Sequence, residues 1–210
     1  MNVQFGHNTF VISINAGRLK AFRAVLRERG LEQPALYEGC YCKNGVLGCT
    51  LSHYSLIKLA KTLGLPYLIV LEDDAYPRKD CKEHLDKLFE HLPDDWRILK
   101  LEDLWHEKYQ VVDDSNPYWF KGISFAGGSG SAAYILHHDS YDSIINAYEF
   151  YNFQIPADVV LNLKDLQDGF YVAKDLAFLQ SNMTDSDSIH DNIKFEDKIW
   201  QNYKKIEDFI

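Results

Sequence analysis

The stretch Tyr67-Leu68-Ile69-Val70-Leu71-Glu72-Asp73-Asp74-Ala75 runs five apolar or aromatic residues directly into three carboxylates. A continuous apolar run of this length, rich in branched residues, predicts a strand that is buried on both faces of a sheet. Pro66 and Pro77 bound the run. Because ligands in open α/β folds bind outside the carboxyl ends of the strands, we expect the three carboxylates to lie at a binding edge.

Three adjacent carboxylates repel one another unless a positive group lies among them. A divalent cation is the usual partner, and carboxylate oxygens are the hard ligands that Mg²⁺ and Mn²⁺ prefer. A solvated acidic turn after a core strand is the alternative interpretation. The stretch alone does not decide between the two.

The composition is that of a globular protein and excludes some functions. The chain has 210 residues, of which 46% are hydrophobic, enough for one large domain or two small ones. The net charge of −9 argues against a nucleic-acid-binding protein, which would carry a basic face. The sequence contains no run of about 18 apolar residues, so no transmembrane segment is predicted. The first residues lack a signal-like apolar core, so we expect a cytoplasmic protein.

The four cysteines suggest a zinc site only weakly. Cys40, Cys42, Cys49 and His53 lie close together in the sequence, but their spacing is not that of a standard zinc finger. The sequence therefore disfavours a zinc site. A chain of this length and expected location also does not need a disulfide framework.

Segments with strand-like and helix-like patterns alternate along the chain. We expect helices over residues 18–29, 46–63, 79–91, 140–150, 159–166 and 195–210, and strands over residues 9–15, 34–42, 67–71, 97–103, 111–112, 118–120, 132–136, 171–172 and 177–179. This order predicts a single α/β domain over residues 1–210. No Gly-x-Gly-x-x-Gly and no P-loop motif is present, so a dinucleotide-binding fold is not indicated.

Three stretches in this order and spacing resemble glycosyltransferase family 25. They are Gly48-Cys49-Thr50-Leu51-Ser52-His53, Val70-Leu71-Glu72-Asp73-Asp74-Ala75 and Ser129-Gly130-Ser131-Ala132-Ala133-Tyr134-Ile135-Leu136. The family comprises lipopolysaccharide and lipooligosaccharide galactosyltransferases and includes collagen galactosyltransferases. Two later pieces also match, Pro156-Ala157-Asp158 and Gln180 followed by Ser186-Asp187-Ser188. The resemblance covers most of residues 9 to 190, although Asn15-Ala16-Gly17-Arg18 keeps only one arginine of the usual Asp-Arg-Arg cluster.

The resemblance implies a GT-A-like fold, with a central mixed, mostly parallel sheet flanked by helices. It implies a metal-dependent, inverting transfer of galactose from UDP-galactose, with Mn²⁺ or Mg²⁺ as cofactor. The acceptor would be a glycan or a lipid-linked glycan in lipopolysaccharide or other cell-surface glycan synthesis. The expected partners are therefore a nucleotide sugar and the glycan acceptor, and no nucleic acid is expected. Peripheral contact with the inner face of the membrane is also expected.

Candidate site residues follow from the resemblance and from strand geometry. Asp74 and Glu72 are the expected metal ligands because alternate residues of a strand point the same way, with Asp73 opposite unless the strand end is strongly bent. An inverting transfer needs a base for the acceptor hydroxyl, for which Asp158 is the first candidate, Asp103 the second and Asp187 the third. We expect the donor to contact Asn15, Arg18, His53, Glu72, Asp73, Gly128, Ser129 and Asp187.

Several alternatives stay open at this point. The alternative role for Asp158 is that of an acid at a helix start, which favours the helix dipole and has no part in catalysis. The alternative role for His53 is a structural one. The whole chain could be a non-catalytic nucleotide-sugar-binding domain. It could also be a metal-dependent nucleotidyl or phosphoryl transferase, which would release pyrophosphate where sugar transfer releases a nucleoside diphosphate.

Overall fold

A computed structural model describes residues 2–102, 109–124 and 130–180. Within these ranges the helices are Ala16–Glu28 (α1), Gly45–Thr62 (α2), Cys81–Glu90 (α3), Tyr141–Phe150 (α4) and Ala157–Leu161 (α5). The strands are Thr9–Ser13 (β1), Ala35–Glu38 (β2), Tyr67–Glu72 (β3), Ala75–Pro77 (β4), Ile98–Lys100 (β5), Tyr109–Asp113 (β6), Trp119–Ser124 (β7), Ala133–His137 (β8), Phe170–Ala173 (β9) and Phe178–Gln180 (β10).

Eight of the described strands form one central sheet in the order β2-β1-β3-β8-β5-β9-β7-β6. Strands β2, β1 and β3 are parallel, and so are β5 and β9. Strand β8 runs antiparallel between β3 and β5, while β7 and β6 extend the sheet in antiparallel fashion. The remaining two strands, β4 and β10, form a small antiparallel sheet of their own.

Helices cover both faces of the central sheet. Alternate residues of β3 serve the two faces: Leu68 and Val70 pack with α2, α4 and α5, whereas Ile69 and Leu71 pack with α1 and α3. All four side chains are fully buried. This two-sided burial explains why the strand reads as an unbroken apolar run, because neither face is left for polar residues.

The topology brings the polar ends of several strands to one edge of the sheet. Parallel strands β1 and β3 end there at Ser13 and Glu72, and the antiparallel β8 begins there just after Ser131. Backbone hydrogen bonding continues past the strands, from the Glu72 N–H to the Ala132 carbonyl at 2.8 Å. Groups that are far apart in the sequence therefore meet beside the end of β3.

The predicted α/β class with a central mixed sheet is confirmed, and several details differ. The described part of the sheet has three parallel and four antiparallel pairings, so it is less parallel than expected. The predicted bounds of the helix over residues 159–166 are wrong, because α5 spans Ala157–Leu161. It ends at Leu161, where the Asn162 side chain donates back to the Asp158 carbonyl at 2.7 Å, and a short 3-10 turn follows.

Strand β4 is not expected from the sequence, in which Pro77 bounds the extended segment. Pro77 instead closes β4, which pairs with Phe178 of β10. The helix expected over 195–210, with Asp103, Gly128, Ser129 and Asp187, lies outside the described residues. In the part of the chain that is described, no helix combines the length and apolarity needed to cross a bilayer.

Candidate functional site

A cleft of about 240 Å³ opens at the edge of the sheet where β1 and β3 end. Glu72, Asp73 and Asp74 all line it, together with Arg18 and His53. Two larger depressions in the described structure, of about 410 and 490 Å³, contain none of the predicted site residues. The concentration of acids therefore identifies the smaller cleft as the candidate site.

The three acids lie at the end of strand β3 and in the turn that follows it. Strand β3 ends at Glu72, and Asp73 and Asp74 form the turn that leads into β4. The alternation of side chains along a strand does not extend beyond Glu72, so the alternative of a bent strand end applies, and Asp73 lines the cleft with the other two acids. All three acids face the cleft, and different partners hold each of them.

Asp73 is held by groups of the β1–α1 connection. Its Oδ2 accepts a 2.6 Å hydrogen bond from the Ser13 hydroxyl, and its Oδ1 accepts one of 2.9 Å from Arg18 Nε. Arg18 Nη2 makes a second close contact with the same oxygen, which completes the ion pair. Both carboxylate oxygens of Asp73 are thus committed to protein groups, which tie α1 to the end of β3.

Asn15 occupies a structural position at the start of α1. Its Oδ1 accepts hydrogen bonds of 2.9 and 3.1 Å from the backbone N–H groups of Gly17 and Arg18, which makes it the N-cap residue. This cap places Arg18 in the first turn of the helix, within reach of Asp73. The structure therefore gives Asn15 a role in positioning Arg18, while direct contact with a donor stays a prediction.

Glu72 is held from behind by His53 of α2 and from the side by Ser131. The Ser131 hydroxyl donates to Glu72 Oε1 at 2.7 Å, and His53 Nε2 lies 3.3 Å from the same oxygen. Burial opposes ionisation of Glu72, but the hydrogen bonds and charge of these neighbours lower its pKa below the usual value. Glu72 is therefore a carboxylate that stays ionised.

His53 has no exposed surface, and its ring is fixed on both sides. Its Nδ1 lies 2.7 Å from the Tyr134 hydroxyl, and the two rings stack with centroids 5.7 Å apart. The structure places His53 behind Glu72, where it positions this carboxylate. Its predicted contact with the donor would act through Glu72.

Asp74 differs from the other two acids because one of its carboxylate oxygens is buried without a hydrogen-bond partner among the described residues. Its Oδ2 accepts a 3.2 Å hydrogen bond from Gln180 Nε2 at the end of β10. Its Oδ1 is buried and has no hydrogen-bond partner among the described residues. Burial, reinforced by the nearby charge of Glu72, raises the pKa of Asp74 from 3.8 to about 7.

The donor set fits a hard divalent cation. A buried, unpartnered carboxylate oxygen beside a second, ionised carboxylate is costly unless a cation neutralises the pair. The oxygens of Asp74 and Glu72 are the ligand type that Mg²⁺ and Mn²⁺ prefer, with water and substrate oxygens completing the shell. Asp73 is already neutralised by Arg18 and is not needed as a ligand.

Asp158 lies on the α2 side of the site and does not line the cleft itself. Its charge, with those of Glu72 and Asp74, adds to burial in raising the pKa of the Cys49 thiol well above the usual range. Cys49 lines the cleft, so Asp158 lies close to the cleft. Its Oδ1 accepts a 3.0 Å hydrogen bond from the Val159 N–H, which fixes it at the start of α5.

The outer wall of the cleft is a loop that lies directly against α2. The Ser52 hydroxyl donates to the Gly48 carbonyl and accepts from the Cys40 N–H, both at 2.7 Å. Ser52 therefore holds the Cys40 backbone against the helix through local hydrogen bonds. A Cβ on Gly48 would lie 2.6 Å from the Cys40 carbonyl oxygen, so only glycine allows this close approach.

Gly48→Ala should lower stability, although glycine-to-alanine changes inside helices usually raise it by about 0.5–1 kcal/mol. The added methyl group must push the Cys40 backbone away, which we expect to cost about 1–3 kcal/mol as an overpacking effect. Thermal unfolding of the two proteins measures the difference. A melting temperature equal to or above that of the parent would show that the loop does not need this glycine.

Sequence reasoning did not assign roles to four residues that complete the site: Ser13, Ser131, Tyr134 and Gln180. Ser131 and Tyr134 belong to a stretch that carries the family resemblance, and Gln180 precedes another. The position of Ser13 at the carboxyl end of β1 was a usable signal, because polar groups at that edge of a sheet converge. The partners of the four residues were not predictable, since each pair is more than 50 positions apart in the sequence.

Comparison with known families agrees with this geometry. The sequence model of glycosyltransferase family 25 (LPS biosynthesis protein) matches residues 37–161, which is more than half of the chain. The matched region contains His53, the three acids of the turn, Tyr134 and Asp158. The chain belongs to glycosyltransferase family 25, and transfer of a glycosyl group is the activity that this membership supports. No curated protein matches the sequence.

Solved structures support the same class of fold. A glycosyltransferase involved in the glycosylation of the major capsid of PBCV-1 has a TM-score of 0.53 at 9% identity, over 84% of this chain and 92% of that one. A mannose-1-phosphate geranyltransferase from Thermus thermophilus has a TM-score of 0.48 at 11% identity, over 82% and 73% of the two chains. Mouse xyloside xylosyltransferase 1 scores 0.44 at 12% identity, over 78% and 83%. At such identities the first of these likenesses shows a GT-A-like fold and nothing further.

Proposed function

We propose that the protein is a metal-dependent, inverting galactosyltransferase that uses UDP-galactose and a glycan acceptor. The observation that carries the proposal is the pair of carboxylates of Glu72 and Asp74, at and just beyond the end of β3, with Asp74 Oδ1 buried and without a hydrogen-bond partner in the described part of the chain. In a chain of family 25, this is the arrangement expected to receive a cation together with a sugar diphosphate. The donor sugar comes from the family resemblance and is the finer part of the proposal.

Each residue of the cleft has a distinct task in this proposal. Asp74 and Glu72 hold the cation, which when bound supplies Lewis-acid neutralisation of the diphosphate leaving group. His53 and Ser131 keep the Glu72 carboxylate ionised and oriented towards the cleft. Arg18 and Asp73 fix the β1–α1 connection that forms the adjacent wall.

Asp158 is the proposed general base. An inverting transfer requires the acceptor oxygen to attack the anomeric carbon as its proton is removed, and the transition state has oxocarbenium character. Asp158 is half-buried at the start of α5, and its charge acts on Cys49, which lines the cleft. Asp158 therefore lies near the cleft without lining it, beside the acids that hold the cation in this proposal.

Removal of divalent cations tests the proposal directly. The protein should bind UDP-galactose in the presence of Mn²⁺, lose this binding in excess EDTA and regain it when Mn²⁺ is restored. Isothermal titration calorimetry measures the binding, and chromatography identifies the nucleotide that is released on incubation with an acceptor extract. A panel of other nucleotide sugars serves as the control for donor identity. Absence of binding to every nucleotide sugar, with and without Mn²⁺, would refute the proposal.

The product also separates the proposed reaction from its alternatives. Release of UDP supports sugar transfer, and release of pyrophosphate would indicate a nucleotidyl transferase. Binding of UDP-galactose without any turnover would indicate a non-catalytic binding domain. We place the reaction in the cytoplasm, at the inner face of the membrane when the acceptor is a lipid-linked glycan of lipopolysaccharide synthesis.

A further inference from the structure

Three donor atoms of different kinds lie together in the cleft, on Cys49, His53 and Glu72. The thiol, one imidazole nitrogen and one carboxylate oxygen all lie within 4.8 Å of one another. Cys49 and His53 are four residues apart in α2, so their side chains project from the same face of the helix. Glu72 approaches from the end of β3. The proposed transfer reaction does not require these sulfur, nitrogen and oxygen donors to act together.

We propose that these three residues form a second cation site, selective for Zn²⁺, which makes zinc an inhibitor of the enzyme. Thiolate and imidazole ligands favour Zn²⁺, whereas an all-oxygen set favours Mg²⁺ or Mn²⁺. Because Glu72 belongs to both sets, one cation excludes the other. The binding site is inferred from the geometry alone, and only its inhibitory effect rests on the proposed function.

The geometry needs little adjustment to bind the ion. Zinc bond lengths of about 2.0–2.3 Å place tetrahedral ligands roughly 3.3–3.8 Å apart, and His53 Nε2 is already 3.3 Å from Glu72 Oε1. Three protein ligands leave the fourth position open to water or a phosphate oxygen of the donor. On binding, the Cys49 thiol releases its proton to solvent.

The surroundings of His53 supply the support that a zinc-binding histidine usually has. With zinc on Nε2, the Nδ1–H donates to the Tyr134 hydroxyl, which lies 2.7 Å away and fixes the ring. The Ser131 hydroxyl holds the Glu72 carboxylate in the same way at 2.7 Å. The carboxylates of Asp74 and Asp158, which face Cys49, add attraction for a divalent cation.

The test uses Co²⁺ as a spectroscopic substitute for Zn²⁺ in the full-length protein. Coordination by a thiolate gives a charge-transfer band in the near ultraviolet, which nitrogen and oxygen ligands do not produce. This selectivity matters because a second group on the described surface, His137, His138 and Asp139, also has closely spaced donor atoms but no sulfur. We expect the band in the parent protein and its loss on addition of Zn²⁺.

Cys49→Ser and Cys42→Ser are the matched variants, because both cysteines line the same cleft and only Cys49 belongs to the cluster. Cys49→Ser should lose the band and weaken zinc binding by more than the ~10–100-fold typical of a lost supporting residue. Cys42→Ser should keep both. Thermal unfolding confirms that each variant is folded. The same band in Cys49→Ser, or no band in the parent protein, would overturn the site.

Inhibition is measured separately, as the effect of Zn²⁺ on Mn²⁺-dependent binding of UDP-galactose. Zinc should suppress this binding in the parent protein and in Cys42→Ser, and should have at least tenfold less effect in Cys49→Ser. If the parent protein shows the cobalt band but binds no nucleotide sugar, the zinc site stands and the proposed function fails. If nucleotide sugar binds and zinc has no effect on it, the inhibitory role is wrong.

Discussion

Asp158→Asn is expected to reduce the rate of galactose transfer by about 10²–10⁴-fold while leaving the affinity for UDP-galactose unchanged. The amide keeps the size of the side chain and can still accept the hydrogen bond from the Val159 N–H. It cannot take the proton of the acceptor hydroxyl, and general base catalysis typically contributes a factor of this size. Calorimetric binding of UDP-galactose, beside a transfer assay, measures the two quantities independently.

Asp142→Asn is the matched control for this variant. Asp142 also lies in the first turn of a helix, α4, but it is exposed and pairs with Lys61. A residue that only favours the helix dipole should cost about 1 kcal/mol or less of stability and leave turnover near normal. If Asp158→Asn behaves like Asp142→Asn, Asp158 is not the base, and Asp103 is the next residue to replace.

Asp74→Asn is expected to have two effects of opposite sign. Donor binding should become at least ~100-fold weaker in the presence of Mn²⁺, because the variant lacks one of the two carboxylate ligands. Part of the loss should be recovered at high Mn²⁺ concentration. The metal-free variant should nevertheless melt at a higher temperature than the parent protein at pH 8, because a buried and unpartnered negative charge has been removed.

The pH dependence gives this second effect a clear sign. The pKa of Asp74 is raised from 3.8 to about 7 in the folded protein. Between these two pH values, the folded state therefore holds a proton that the unfolded state has lost. The metal-free parent protein therefore loses stability as the pH rises from about 4 to 7, and the variant does not. The difference in melting temperature should be largest at pH 8 and should shrink at pH 5.

Asp73→Asn is the control at the neighbouring position, and its stability should change in the opposite direction. The substitution removes the charge that Arg18 pairs with at the same turn, and breaking a buried ion pair is destabilising. A fall in melting temperature for Asp74→Asn similar to that for Asp73→Asn would show that Asp74 is a structural residue and not a cation ligand.

Local sequence patterns were sufficient for the elements that carry the site. The apolar run before Glu72 predicted β3, because a strand buried on both faces has no polar positions. Helix α2 was predicted to within one residue at each end, since Asn44 caps its start and Gly64 follows its last turn. The meeting of the acids at one edge followed from the general behaviour of α/β sheets.

Features that depend on tertiary contacts were not available from the sequence. The turn at Asp73 and Asp74 is stabilised by Ser13, Arg18 and Gln180, residues that lie 55 or more positions away. Strand β4 exists because β10 pairs with it, and three residues ending in proline do not otherwise predict a strand. The local pattern could not show which acid would keep a buried oxygen without a hydrogen-bond partner among the described residues.

The pairing of β10 with β4 also determines when during synthesis the site can exist. Gln180 reaches Asp74 across 106 positions of the chain, a distance that a ribosome covers in about 5–20 s at typical rates of translation. During this interval the nascent chain carries the acidic turn without the strand that holds it. The cleft is therefore completed late in translation, after the segments that form β1, α2 and β3 have already been made.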